Sequence, residues 1–216
     1  MLFNRAKTEM VAPERALKGR DHYEFAIPQT HYVKGTPLQP PFPNGMATVV
    51  FGLGCFWGAE EIFWQTPGVY TTAVGYAGGY TEHPSYEEVC TGLTGHTEAV
   101  LVVYDPSVVS FSELVAIFFE VHDPTQGNRQ GNDIGSQYRS AVYYTDEAQA
   151  EISEKAKVAY SAVIEPRGYP KTTTEIAPLG DFFYAEGYHQ QYLAKNPNGY
   201  RCHAATDIPF PREALA

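Results

Sequence analysis

The sequence predicts an α+β fold, a two-layer α/β plait over a mixed sheet, with an extended segment before it and a coil-rich tail after it. Three observations carry that prediction. β-rich or apolar runs at 47–53, 69–74, 98–104, 140–144 and 172–177 are interleaved with helical patterns. The runs 69–74 and 98–104 have only a short helical turn between them, so strict βαβ alternation fails. The chain has 216 residues, 44% of them hydrophobic and 19% charged, which suits a globular domain with one ordinary core.

Taken in order, residues 1–45 mix charges with Pro28, Pro37, Pro40, Pro41 and Pro43 and are expected to lie along the domain as an extension. A disordered tail fits their composition as well. Residues 46–216 are expected to form a single domain that includes the C-terminal tail. Ala47–Leu53 reads as a strand running into Gly54-Cys55, and Gly58–Gln65 as a short helix stopped before Pro67. Val69–Val74 is a strand ending at the glycine-rich Gly75-Tyr-Ala-Gly-Gly79. Ser85 with Glu88, and Ser110 with Glu113, have capping-box spacing, and each opens a helix. Glu98–Tyr104 reads as a buried strand. Leu114, Ile117, Phe118 and Val121 fall on one helical face. A long polar loop, 122–137, precedes the strand Ser140–Tyr144. Asp146–Ile164 is an amphipathic helix, Thr172–Ala177 a last strand, and a helix is expected around Glu186–Ala194. This order of elements fits a ferredoxin-like core.

Composition excludes several classes. No apolar run approaches the roughly 18 residues a membrane span needs. The formal charge of −10 argues against non-specific nucleic-acid binding. Three cysteines are too few, and odd, for a disulfide framework. No secretory signal is read at the start, so a reducing cytoplasm is the expected location. P-loop, dinucleotide, C-x-x-C and G-x-S-x-G motifs do not occur. The aromatic content, 16 Tyr and 12 Phe, stands out.

Cys55 is the thiol with a reactive setting. It stands where a strand ends and a helix begins, so helix N–H groups could stabilise a thiolate. A buried structural cysteine is the commoner fate. The flanking Gly54 and Gly58 and the following Phe56-Trp57 pair favour the reactive reading, since two such rings at one corner cannot both enter the core. Cys202 lies in the tail beyond Pro197 and Gly199, and a mobile thiol paired with a fixed one is the layout of a resolving cysteine. Cys90, at the end of a short helix, reads as a core residue. Glu98 begins a buried strand and needs either a cation or a raised pKa. For Asp133 ordinary turn chemistry suffices, and His96 and His122 read as plain hydrogen-bonded histidines.

Gly54-Cys-Phe-Trp-Gly58, Gly75-Tyr-Ala-Gly-Gly79, Gly95-His-Thr-Glu98, His122-Asp-Pro, Gln130-Gly-Asn-Asp133 and Tyr138-Arg-Ser140 keep this order along the chain. Over residues 46–203 the sequence thereby resembles the peptide methionine sulfoxide reductase A family. The resemblance implies reduction of the S epimer of methionine sulfoxide, free or in proteins, as repair of oxidative damage. It implies no bound cofactor and no metal, with thioredoxin as external reductant and partner, and a monomer. Cys55 would be the nucleophile, and Phe56 and Trp57 the pocket for the substrate's methyl group. Glu98 would be the acid at the sulfoxide oxygen, with Tyr86, Asp133 and Tyr138 around it. Cys202, in Asn196-Pro-Asn-Gly-Tyr-Arg-Cys-His203, would recycle Cys55 through a disulfide. The family's better-known pattern has two tail cysteines, whereas here none follows Cys202. Two other classes remain on the residues alone. One is a cysteine hydrolase using Cys55, His96 and an acid, and the other is an aromatic-rich peptide-binding module.

Overall fold

A computed structural model describes residues 5–202 and 204–215; His203 of the tail motif lies outside the described residues. The apolar run Ala47–Leu53 forms β1, and after the Gly54-Cys55 corner α1 covers Phe56–Gln65. Strand β2 is Val69–Ala77. Helix α2, Tyr86–Cys90, opens on a complete capping box: the Ser85 hydroxyl accepts from the Glu88 N–H, and the Glu88 carboxylate accepts from the Ser85 N–H. Strand β3 is Thr97–Tyr104, and α3, Phe111–Glu120, is capped by Ser110. The Glu113 carboxylate does not close a second box; it holds Arg212 of the tail instead. Strand β4 is Ser140–Tyr144, and α4, Glu147–Ile164, is capped by Asp146. Strands β5, Glu175–Pro178, and β6, Phe182–Tyr184, precede α5, Tyr192–Lys195.

Six strands form one sheet in the order β5-β4-β1-β3-β2-β6. The β4–β5 pair is parallel and the other pairs are antiparallel, so the sheet is mixed. Both faces are buried, which is why the strands read as continuous apolar runs and not as alternation. Val49, Phe51, Val100, Val102 and Val142 face a layer built from Phe63, Leu114, Phe118, Phe119 and Tyr160 of the helices. Val50, Ala73, Leu101, Val103 and Ala141 face the other way, where Leu38, Ile27 and Phe42 of the N-terminal segment pack on them. Among the described residues no helix is long and apolar enough to cross a membrane.

Besides the strand β6, which the sequence reading lacked, the structure departs from that reading at several places. Helix α1 starts at Phe56, two residues earlier, because Cys55 itself takes the N-cap position. Gly75, Tyr76 and Ala77 belong to β2 and not to a turn, since β3 and β6 pair with them on either side. The last predicted strand begins at Glu175. The loop 122–137 contains a small hairpin, Arg129–Gln130 against Asp133–Ile134. The helix expected around 186–194 shrinks to Tyr192–Lys195, because Gln191 takes a left-handed conformation with φ 47°.

Candidate active site

Cys55 closes the corner between β1 and α1 and is only 9% exposed. Gly54 before it has φ 93°, and a Cβ there would lie 2.6 Å from Gln130 Cγ, so this corner needs glycine twice over. Glu98, on β3, is paired opposite Tyr76 and shares the helix-facing side of Val100 and Val102. The first N–H of α1, that of Phe56, donates to Glu98 Oε2 at 3.1 Å.

This arrangement overturns the expectation of a thiolate at the helix start. Burial, followed by the nearby Glu98 charge, pushes the Cys55 thiol up; a hydrogen bond from the Trp57 N–H opposes this but does not win. The Phe56 N–H, which might have joined it, is spent on Glu98. Burial pushes the Glu98 carboxyl up to about 8, against the Phe56 hydrogen bond. At neutral pH the corner therefore holds a protonated thiol beside a largely protonated carboxylic acid.

Two hydroxyls join them. Tyr86 and Tyr138 are half-buried, and burial, then the Glu98 charge, pushes both phenols up, so both remain donors. The Tyr86 phenol and the Cys90 thiol influence one another's ionisation, which places Cys90 near the site; it is half-buried and not part of the core the sequence suggested. Asp133 sits further toward the tail. It accepts from the Tyr200 hydroxyl at 3.2 Å, and burial raises its pKa while hydrogen bonds from Tyr200 and Cys202 lower it.

The aromatic pair divides as its size requires. Phe56 is buried among Tyr76 and His189, with ring centroids 6.0 and 5.1 Å away. Trp57 is half-buried and stacks on Tyr192 at 3.9 Å, while its indole N–H donates to His189 Nδ1 at 3.0 Å. Tyr86 also lies against the His189 ring, at 4.4 Å. Glu186 supports this wall by accepting from the Tyr76 hydroxyl and the Tyr86 N–H.

Cys202 is half-buried, and its thiol donates to Gln130 O at 3.5 Å. A Cβ at Gly131, where φ is 58°, would lie 3.2 Å from Cys202 Sγ. Cys55 and Cys202 line one cavity of about 400 Å³, with Leu53, Ala59, His122 and Gln130. Glu98, Tyr86 and Tyr138 do not line that cavity. All three cysteines are free thiols.

The histidines are structural, as read from the sequence. His96 accepts from Gly79 N and donates to Thr81 O, and His122 bonds Phe118 O and Ser140 Oγ. With both ring nitrogens of His96 committed, a hydrolase has no base there. Sequence reasoning missed His189, Tyr192 and Glu186, and gave Gln130 no role beyond its place in a motif. For His189 and Tyr192 the aromatic, amide-rich run Gly187-Tyr-His-Gln-Gln-Tyr192 is the signal, and the helical reading of that stretch hid it.

Comparisons with known proteins show which family the chain is similar to. The family described as peptide methionine sulfoxide reductase matches residues 47–210. A Synechocystis sp. protein named peptide methionine sulfoxide reductase MsrA 1 is 58% identical over 205 residues, 95% of this chain and 92% of the relative. A Pseudomonas aeruginosa peptide methionine sulfoxide reductase MsrA is 54% identical over 95% of each chain. Among solved structures, methionine sulfoxide reductase A of Corynebacterium diphtheriae superposes with a TM-score of 0.82 at 48% identity, covering 93% of this chain and 99% of that one. Reduced Mxr1 from Saccharomyces cerevisiae gives 0.68 at 36% identity, covering 76% and 94%.

Proposed function

The chain belongs to the peptide methionine sulfoxide reductase family and is an oxidoreductase that reduces methionine sulfoxide; from that premise we propose how its residues divide the reaction. Cys55 sulfur attacks the sulfoxide sulfur. Glu98 delivers a proton to the oxygen, which otherwise leaves poorly, and Tyr86 and Tyr138 donate hydrogen bonds to the charge developing there. Asp133 completes the polar side toward the tail. Phe56 and Trp57 receive the methyl group and thereby select the S epimer. The sulfoxide oxygen and the proton from Glu98 end together as the hydroxyl of Cys55 sulfenic acid, the proton lost by the thiol restores the Glu98 acid, and methionine leaves. The Cys202 thiol then attacks Cys55: an S–S bond forms, the S–O bond breaks, and water departs. An external dithiol, thioredoxin, reduces the disulfide; residues 203–216 hold no cysteine that would relay it.

One observation carries this reading: the Glu98 carboxyl, raised by burial, and the buried Cys55 thiol meet at the start of α1, and a second thiol lines the same cavity as Cys55. The test is turnover of each epimer by purified protein. The S sulfoxide should be consumed and the R epimer left; equal loss of both would overturn it. Cys55→Ser should abolish turnover. Cys202→Ser with thioredoxin should release about one equivalent of methionine and then stall.

The order β4-β1-β3-β2, antiparallel throughout, supports assigning the central strands to a ferredoxin-like plait. Residues 1–45 are then an extension on a single catalytic domain, 46–216.

A further inference from the structure

We propose that the ion pair between Arg201 and Glu61 is a latch that holds Cys202 in place for attack on oxidised Cys55. The inference rests on Cys202 being the resolving thiol. Arg201 directly precedes Cys202. Its Nε and Nη2 donate to the two carboxylate oxygens of Glu61 at 2.7 and 2.9 Å. That fork-to-fork geometry fixes direction as well as distance. Glu61 lies on α1, the helix that Cys55 caps, so the tail is tied to the same rigid element as the nucleophile. Arg201 Nη1 also donates to Pro197 O at 2.9 Å, which folds the tail onto itself.

Two further contacts converge on the same point. Tyr200 donates to Asp133, and the Cys202 thiol donates to Gln130 O. Gln130 in turn packs against Gly54, the residue before Cys55. Three consecutive tail residues are thus fastened to groups that surround the nucleophile. The chain between the two thiols is long, and an unfastened tail would reach Cys55 only by diffusive search. Ordering it beforehand raises the effective concentration of one thiol at the other. Arg201 acts by position, because its charge is committed to Glu61, and neither Cys202 nor Cys55 is shifted by it. The step it serves is balanced: Cys55 sulfenic acid and Cys202 thiol give the disulfide and water.

The test is a single turnover of the reduced full chain with methionine sulfoxide and no external reductant. Methionine release and disulfide formation are followed separately, by rapid quench, alkylation and intact mass. Glu61→Gln and Arg201→Ala should each slow disulfide formation about fivefold, the scale a well-formed surface ion pair supports. Methionine release should hold its rate. The charge swap Glu61→Arg with Arg201→Glu should return disulfide formation to within about twofold of the native rate. About 1 M salt should slow the native protein and leave the single variants unchanged. Native rates in both single variants would overturn the latch. Slow single variants with no recovery in the swap would place the effect in side-chain packing and overturn the ion pair as its cause. A Cys202→Ser protein that still forms the intramolecular disulfide at the native rate would remove the resolving role itself. Loss of the disulfide in Cys202→Ser, with native rates in the latch variants, would remove only the latch.

Discussion

At the scale of single residues, the proton inventory of the site decides its pH dependence. Glu98 is useful as a donor only while protonated, and burial holds its pKa at about 8. The rate of methionine formation in a single turnover should therefore be flat near neutrality and fall as pH rises through about 8. Glu98→Gln keeps a hydrogen-bond donor but cannot release a proton. It should lower that rate by about two to four orders of magnitude, the usual contribution of a positioned acid, and abolish the pH break. A break that survives in the variant would assign it to another group. The candidate site residues were legible because their types are unusual where they stand: a cysteine between glycines, a carboxylate at the head of an apolar strand. Their ionisation was not legible. Position at a helix start suggested a thiolate at Cys55, whereas the deciding facts are how deeply the thiol is buried and that the first free N–H points at Glu98. His189 and Tyr192 were hidden for a related reason, since what they do is set by the Trp57 ring they touch and not by local pattern.

At the scale of elements, periodicity located what tertiary partners did not alter. Strand β1, the start of β2, the Ser85 capping box and the long α4 lie where the sequence put them, because each has a complete local signal. The errors cluster where pairing decides. Gly75-Tyr-Ala77 looks like a turn until β3 and β6 flank it, and Phe182–Tyr184 is a strand only because β2 offers an edge. The N-terminal segment is the largest such case. Its prolines say only that it is not helical, whereas Leu38 is fully buried on the sheet face opposite the helices. That contact predicts a measurable role in stability. Leu38→Ala should cost about 2–5 kcal/mol, the range for truncating a buried leucine. In a protein of this size each kcal/mol lowers the melting temperature by about 2–4 °C. A thermal melt should thus show a fall of at least about 4 °C, with the rate of methionine formation at 25 °C preserved. A melting temperature unchanged within 1 °C or so would mean that the segment contributes no net stability through this contact.

At the scale of the whole molecule, buried ionisable groups pull stability in opposite directions with pH, and their balance predicts an optimum. His31, His122 and His189 are buried and lowered to about 4 by loss of hydration, from an ordinary 6.5. Below 6.5 the unfolded chain takes up protons that these three refuse in the fold, so their contribution is lost as pH falls from 6.5 toward 4. Glu60 and Glu98 do the reverse. Burial raises them to about 7 and about 8, so between 4.5 and these values the fold holds protons that the unfolded chain has released. Their contribution is lost as pH rises through 7 and 8. Between 6.5 and 8 the carboxyls decide, and stability falls with rising pH. Between 4.5 and 6.5 the buried histidines, to which His96 adds in the same direction, outnumber the two carboxyls, and stability falls with falling pH. The melting temperature should therefore peak near pH 6.5, well above the sequence pI of about 5.1. A series of thermal melts from pH 4 to 9 checks this. Glu98→Gln removes one of the two carboxyls, so the decline between pH 7 and 9 should become shallower while the acid limb keeps its slope. An alkaline limb identical in the variant would exclude Glu98 from the balance, and with it the buried proton on which the proposed acid step depends.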